Sequence, residues 1–577
     1  MAMTVDEATA VLTAPGQMFE MERDVVAGRE TSVWRYAPRT LRDVLDLSLR
    51  HAERDFLVYE DVRLTFDEHY RRAATLSHRL HADGVRPGDR VAIAARNLPT
   101  WVIAFWGAIS AGAIAVLLNA WWSADELEYG LMDSSASVLF VDDERLARIA
   151  PLLDRLPALR TVVVLPSAAV PAERPSHPRV RIVDYVDVLG DVAPDATPID
   201  VAISPDDDAT MFYTSGTTGH PKGAVGTHRN ATTNLMNLFF ISQRSALRFP
   251  PSEDERRRES PNASLLNVPL FHATGCLAVM VVNTAAGGKL VMMHHFDAGD
   301  ALRLIERERI TLIGGVPTIA MQILDHPSFA TTDTSSVRSV SYGGAPAPPD
   351  LVRRIREGFD LAQPGNGYGL TETSAAIALN SGPDYVERPT SCGPVVPVCE
   401  AAIVPEGWDG PEPPVDRLPA DELGELWVRG PSVVRGYWNK PEETARAFTH
   451  GWLHTGDIAR MDPDGFIHIV DRAKDMIIRG GENVYSVGVE AALFEHPDVA
   501  DCAVVGLPHP VWGEEVAAVI VPRAGRSIDP EELRVFLRPL LAHFEIPTRI
   551  FLRDEPLPRN PQGKVLKRQL RHEVSSD

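Results

Sequence analysis

Short apolar runs recur along the chain from about residue 40 to residue 400: "RVAIAAR", "SVLFVDD", "TVVVL", "ATMFYTSG", "SLLNVPLF", "KLVMM", "TLIGGV" and "SVSYGG". Each has the length and composition of a strand buried on both faces, and helix-like stretches separate them. Such alternation predicts α/β layers with mainly parallel sheets. Ligands of open α/β sheets bind beyond the carboxyl ends of the strands, and glycine-bearing loops of this chain fall at those ends. After residue 400 the pattern changes. Residues 405–422, "PEGWDGPEPPVDRLPADE", read as a proline-rich loop; "GELWVRG" and "DIARMDPDGFIHIVD" then read as antiparallel strands with a turn at Asp462–Gly465. A final α+β unit begins near Asp471. The charged stretch "RFPPSEDERRRESPN", Arg248–Asn262, reads as a solvated loop with a lid as its alternative role.

One segment tests this layered reading. Trp101 to Trp122 carries no charge and is long enough to span a bilayer. Gly107, Gly112 and several alanines break it, and Gly112 stands where a helix would stop. The expectation is a buried helix, a turn and a short strand "AIAVLLN", with no transmembrane segment. Composition agrees: 577 residues, 44% hydrophobic and 24% charged, are those of a globular chain of two or more domains. A formal charge of −22 offers no basic field to nucleic acid or to an anionic membrane. Cys276, Cys392, Cys399 and Cys502 show no C-x-x-C spacing and read as reduced thiols. The acidic N-terminus lacks a signal-peptide core and the C-terminus lacks a sorting tripeptide, so a cytoplasmic protein is expected.

The basic residues are unevenly chosen. Of 57, only six are lysine: Lys222, Lys289, Lys440, Lys474, Lys564 and Lys567. A compact ammonium kept in an arginine-rich background marks sites that a planar guanidinium cannot serve. Lys222, Lys474 and Lys564 all lie in polar, glycine-containing segments. Lys222 closes "TSGTTGHPKGA", Thr214–Ala224, a loop of three glycines and four hydroxyl residues that lets backbone approach phosphate closely. It is not a Walker loop, because Lys222 follows proline rather than glycine.

Six further segments accompany it: "NVPLFHATG" (Asn267–Gly275), "SYGGAP" (Ser341–Pro346), "NGYGLTET" (Asn366–Thr373), "GWLHTGD" (Gly451–Asp457), "DRAKDMIIRGGENVY" (Asp471–Tyr485) and "PRNPQGK" (Pro558–Lys564). In this order and spacing, from about residue 30 to the end, the chain resembles the adenylate-forming superfamily of acyl- and aryl-CoA synthetases, luciferases and peptide-synthetase adenylation domains, and most of all the bacterial fatty-acyl-CoA synthetases. The resemblance implies a large N-terminal α/β domain, residues 1–470, with a small β-barrel-like subdomain at about 385–470. A small mobile α+β domain, residues 471–577, would be hinged at Asp471. It implies ATP, Mg²⁺ and CoA, and activation of a carboxylic acid to acyl-AMP with loss of pyrophosphate, then attack by a thiol.

Roles follow by the same resemblance, each in keeping with the residue's chemistry. Thr214, Ser215, Gly216, Thr217, Thr218, Gly219 and Lys222 would cradle the β- and γ-phosphates. Gly343, Gly344 and Ala345 would leave a slot for the adenine edge and the acyl chain, with Asn366, Tyr368 and Gly369 completing the nucleotide pocket. Thr371 would touch the α-phosphate and Glu372 would hold Mg²⁺ as a hard oxygen ligand. Asp457 and Arg472 would take the ribose. Lys564 would sit between the substrate carboxylate and the α-phosphate and serve adenylation alone. His272, after Phe271, resembles the gate between acid pocket and thiol tunnel. After rotation about Asp471, Lys474, Gly480, Gly481 and Glu482 would line that tunnel.

Two departures fall in the small domain: Ser486 and Gly488 replace a common Pro/Cys and Glu, and Glu545 stands where lysine is common. They keep open an alternative acceptor, a carrier-protein thiol or an amine, or an unusual anion in place of the acid. His272 occupies the position where amino-acid-activating relatives carry an aspartate, and the expected pocket segments hold no Arg or Lys for a second carboxylate. A monocarboxylate with a fatty or aromatic tail is therefore expected. A non-catalytic relative would be expected to lack Lys564 or Glu372. A homodimer stays open.

Overall fold

The computed structural model describes residues 3–166, 174–214, 220–251, 261–344, 350–405, 407–408, 410–414, 418–560 and 563–575. Two large sheets carry most of the chain. The first has seven strands in the order Lys222–Thr227, Asp208–Thr214, Ile114–Leu117, Arg90–Ala94, Val138–Val141, Thr161–Val164 and Arg181–Asp184. All its pairings are parallel except at the Lys222–Thr227 edge, which folds back antiparallel on Asp208–Thr214. The second has eight strands, with Ala263–Leu266, Lys289–Met292, Leu312–Gly315 and Ser339–Gly343 parallel at its centre and antiparallel strands at both edges. The continuous apolar runs of the sequence are thus central strands, covered on both faces by helices.

The segment from Trp101 onwards settles as expected. Pro99–Ser110 is a helix that opens on proline, its preferred first-turn position; Gly112 turns the chain at φ +75°, and Ile114–Leu117 is a central strand. Trp101, Phe105 and Trp106 are fully buried in a core cluster that draws on both large sheets. Gly107 is needed there, because a Cβ would lie 2.8 Å from the Leu76 side chain. Among the described residues no helix is long and apolar enough to cross a membrane.

The β-rich segment is a five-stranded antiparallel sheet built from Glu400–Val404, Gly424–Arg429, Phe448–Thr449, Trp452–Met461 and Ile467–Arg472. Its last strand carries Asp471 and Arg472 directly towards the small α+β domain. There, Val499–His509 and Gly513–Pro522 form a long hairpin, flanked by Ile477–Arg479 and, in parallel, Arg549–Leu552. The helices Ser486–Phe494 and Lys567–Ser575 pack on that sheet. The insert's residues 252–260 lie outside the described residues.

Candidate active site

The carboxyl ends of the second sheet face the small domain across a cleft of about 1850 Å³. Gly344, Asn366, Tyr368, Gly369, Asp457, Arg472, Lys474 and Lys564 all line it. Asp457 is 2% exposed and anchors the wall: the Tyr368 hydroxyl donates to its Oδ2 at 2.6 Å, and Arg472 Nε lies 3.1 Å from its Oδ1. Asp457 and Arg472 face each other as register partners of two antiparallel strands, which fixes the pair. Burial, with Asp457 alongside, pushes the Tyr368 phenol well above its ordinary range, so it stays a donor. Strand glycines bring backbone close: Gly343 pairs with Gly367, and a Cβ on Gly343 would lie 2.5 Å from the Gly367 carbonyl oxygen. Gly344, at φ +73°, has open space beside it.

Beyond Leu370 the chain makes a 3-10 turn, Thr371–Thr373, and then two residues with positive φ, Ser374 (+57°) and Ala375 (+91°). Left-handed non-glycine residues cost energy and cluster at functional sites. The turn presents Glu372, whose Oε1 accepts a 2.7 Å hydrogen bond from the Tyr437 hydroxyl and whose carbonyl accepts from Val434 N–H at 2.8 Å. The Lys222 ammonium lies 5.1 Å from the centre of the same Tyr437 ring. Tyr437 therefore couples the metal-ligand candidate to Lys222, the lysine of the expected phosphate loop. A carboxylate held this way suits Mg²⁺, which takes one or two carboxylates and completes its shell with water and substrate phosphates.

The stem of the phosphate loop is pinned from several sides. Thr214 and Lys222 pair across the strand edge. The Tyr129 hydroxyl donates to the Pro221 carbonyl at 3.1 Å, the Tyr129 and His220 rings stack at 4.8 Å, and Trp438 N–H donates to the Gly223 carbonyl at 2.8 Å. Ser215, Gly216, Thr217, Thr218, Gly219 and Ala345 lie outside the described residues.

Lys564 enters the cleft from the small domain. Its backbone N–H is held by Asn560 Oδ1 at 2.9 Å, and Gly563, at φ +81°, abuts the large domain so closely that a Cβ would meet Val316 at 2.8 Å. Burial, reinforced by Arg472, pulls the Lys564 ammonium down to about 8, against the pull of Asp457 and Asp475. Anions bound beside it would restore the charge.

Residues 47–438 match the AMP-binding enzyme family, and residues 488–564 match the AMP-binding enzyme C-terminal domain. The chain belongs to the AMP-binding enzyme family. It is 38% identical over 509 residues to a feruloyl-CoA synthase of Amycolatopsis sp, covering 88% of this chain and 93% of that protein. A long-chain-fatty-acid–CoA ligase of Bacillus subtilis (strain 168) is 32% identical over 561 residues, 93% and 95% of the two chains. The solved anthranilate CoA ligase AuaEII in complex with anthranoyl-AMP superposes with a TM-score of 0.80 at 25% identity, covering 93% of this chain and 97% of the other.

In this AMP-binding enzyme Gly344, Asn366, Tyr368, Gly369, Asp457, Arg472 and Lys564 line one cleft, Thr214, Lys222, Gly343, Thr371 and Glu372 fall outside its lining, and the expected thiol-tunnel residues divide. Lys474 reaches the cleft; Gly480 and Gly481, at φ +64° and +92°, instead form the two-residue turn of the exposed hairpin joining Ile477–Arg479 to Glu482–Val484. His272 sits outside the cleft lining, 4.6 Å ring to ring from Phe271, and burial drops its imidazole to about 3, leaving it neutral. The segment it opens is tight: Gly275 lies in a π-helical turn, Thr274–Met280, and a Cβ on it would lie 2.2 Å from the Pro269 carbonyl oxygen. Glu545 caps its own turn by accepting from Ala542 N–H at 2.8 Å, and Gly488 is exposed with open space beside it. Tyr437, Tyr129 and Trp438 are site-forming residues that sequence reading missed. Their only signals were an aromatic pair between Gly436 and Lys440 and a lone tyrosine on a helix.

Proposed function

We propose that this enzyme is an AMP-forming acid–CoA ligase acting on a monocarboxylic acid with a fatty or aromatic tail. The carboxylate oxygen attacks the α-phosphorus of ATP, the bond to the bridging oxygen breaks, and pyrophosphate leaves; the CoA sulfur then attacks the acyl carbon and AMP departs. The observation that carries the reading is the convergence of Asp457, Arg472 and Lys564, from two domains, on one cleft beside Tyr368 and Gly344. Lys564 holds positive charge where the two anions meet, Asp457 and Arg472 take the ribose, and Lys222 with the phosphate loop draws off pyrophosphate. Glu372, oriented by Tyr437, would hold Mg²⁺, which screens phosphate charge when bound. His272, neutral, separates acid pocket from thiol entry.

Residues 471–577 rotate about Asp471 between half-reactions, withdrawing Lys564 and bringing Lys474, Gly480, Gly481 and Glu482 to the thiol. That both a feruloyl-CoA synthase and a long-chain-fatty-acid–CoA ligase are relatives supports CoA as the acceptor, and the greater identity to the former ranks aryl acids first. The reading puts the enzyme in the cytoplasm, where ATP and CoA are supplied, as a monomer or a homodimer. The test is pyrophosphate release with ferulate, benzoate, laurate and palmitate, with and without CoA. Multi-turnover release that depends on CoA is expected; exchange without CoA stimulation would reject the acceptor. Lys564→Ala should abolish pyrophosphate–ATP exchange while a synthetic acyl-AMP is still thiolated, and equal loss of both half-reactions would reject its role.

A further inference from the structure

A chain of buried polar groups lies on the small-domain side of the junction, and of its members only Asp471 has a part in the scheme above. Asp471, 3% exposed, accepts from the Ser486 N–H and, at 2.8 Å, from the Ser486 hydroxyl. The Ser486 hydroxyl accepts in turn from the Lys567 ammonium at 2.7 Å. Lys567 Nζ also lies 2.7 Å from Glu490 Oε1, which takes the Val504 N–H at 2.8 Å. Ser486 is fully buried and the Lys567 side chain is 20% exposed. One ammonium thus serves two enclosed carboxylates, directly at Glu490 and through a hydroxyl at Asp471. It joins the last strand before the small domain to the helix Ser486–Phe494 and the strand Val499–His509.

Lys567 is also rigidly connected to Lys564. Between them, Leu566 N–H donates to Pro558 O at 2.9 Å, Asn560 N–H to Lys564 O at 2.8 Å, and Arg559 bridges to Val565, closing the turn on itself. Arg559 binds Asp501 at 2.6 Å and so anchors the other leg. A shift at Lys567 must therefore move the turn that places Lys564. The bonds to Asp471 also depend on the residue at 486: one lacking both N–H and hydroxyl, such as proline, could make neither.

We propose that Lys567 is a positioning residue for adenylation: by holding Asp471 through Ser486 and the first small-domain helix through Glu490, it fixes the orientation that puts Lys564 in the cleft. This rests on the reading of Lys564 as the adenylation lysine. Rotation about Asp471 then requires the Asp471–Ser486–Lys567 link to open, and the link acts on one half-reaction only.

The test compares full-length variants in two assays, pyrophosphate–ATP exchange and thiolation of a synthetic adenylate. Both use the acid from the panel above that the wild type turns over fastest. Ser486→Ala cuts the link but leaves the Lys567–Glu490 pair intact; the double variant Lys567→Met/Glu490→Gln removes the ammonium together with its directly paired carboxylate and leaves Asp471 held by the Ser486 N–H and hydroxyl and the Arg472 N–H. Both should lose about tenfold or more in exchange kcat, as expected for a displaced reacting group, while thiolation stays within about threefold of wild type. Lys567→Arg should recover most of the exchange rate. Wild-type exchange in both variants, or equal loss of both half-reactions, overturns the proposal. Lys564→Ala, run in parallel, separates the two claims. If it still exchanges, the reading of Lys564 falls and this inference with it; if it is inactive while the Ser486 and Lys567 variants are normal, only the inference falls.

Discussion

Tyr437→Phe is a one-atom perturbation at the point where the metal and phosphate groups meet. The change removes the hydroxyl that donates to Glu372 at 2.7 Å and keeps the ring over which Lys222 sits at 5.1 Å. The backbone is untouched: Tyr437 N–H still donates to Thr444 Oγ1 at 3.0 Å, and Tyr437 still bridges to Ala224. A hydrogen bond to a charged group contributes about 1.5–3 kcal/mol, and loss of a partner that orients a metal ligand costs about 10- to 100-fold in affinity or activity. These two scales agree, since tenfold corresponds to about 1.4 kcal/mol. The Mg²⁺ concentration giving half-maximal pyrophosphate–ATP exchange should therefore rise by about 10- to 100-fold, with kcat at saturating Mg²⁺ changed by a few-fold at most. The assay is exchange measured across a Mg²⁺ series at fixed ATP. A Mg²⁺ curve that superimposes on wild type, or a lower plateau with no shift, would refute the argument that Tyr437 works by orienting Glu372.

Two further outcomes are expected. Because burial and Arg472 bring Lys564 to about 8 in the free enzyme, its ammonium is present below that pH and lost above it. The kcat/KM of exchange for ATP should accordingly fall as pH rises through about 8, while kcat holds to higher pH because bound anions keep the lysine charged; a kcat/KM level to about pH 10 would sink this account. Gly343→Ala places a Cβ 2.5 Å from the Gly367 carbonyl oxygen, against backbone rather than a side chain that could yield, whereas a Cβ on Gly314, on the neighbouring strand, meets nothing within 4 Å. Gly343→Ala should cost about 1–3 kcal/mol of stability and raise the KM for ATP, and Gly314→Ala should do neither; equal urea midpoints for the two would contradict the packing argument.

Much of the protein is readable from local pattern. Apolar runs without alternation became central parallel strands, and Gly112 ended a helix as expected, because burial and backbone conformation act over a few residues. The same holds for Gly343 and Gly369, whose Cβ atoms would collide with backbone, and for Lys564, singled out by its rarity and its turn. Rarity alone did not sort the other lysines. Lys289 pairs with Glu308 at 2.9 Å, Lys440 lies 3.6 Å from Asp133 and 5.9 Å from the centre of the Tyr129 ring, and Lys567, passed over in sequence, bonds both Glu490 and Ser486.

Partners were what the linear order could not supply. Tyr437 reaches Glu372 from 65 positions away, Tyr368 reaches Asp457 across 89, and Lys567 reaches Ser486 across 81. Each of those contacts joins elements far apart in the chain that packing of buried faces brings together, a long-range event that no window of neighbouring residues encodes. Sequence by itself determined the layers, the loops at the strand ends and the chemistry each loop carries; tertiary structure alone decided which side chain holds which.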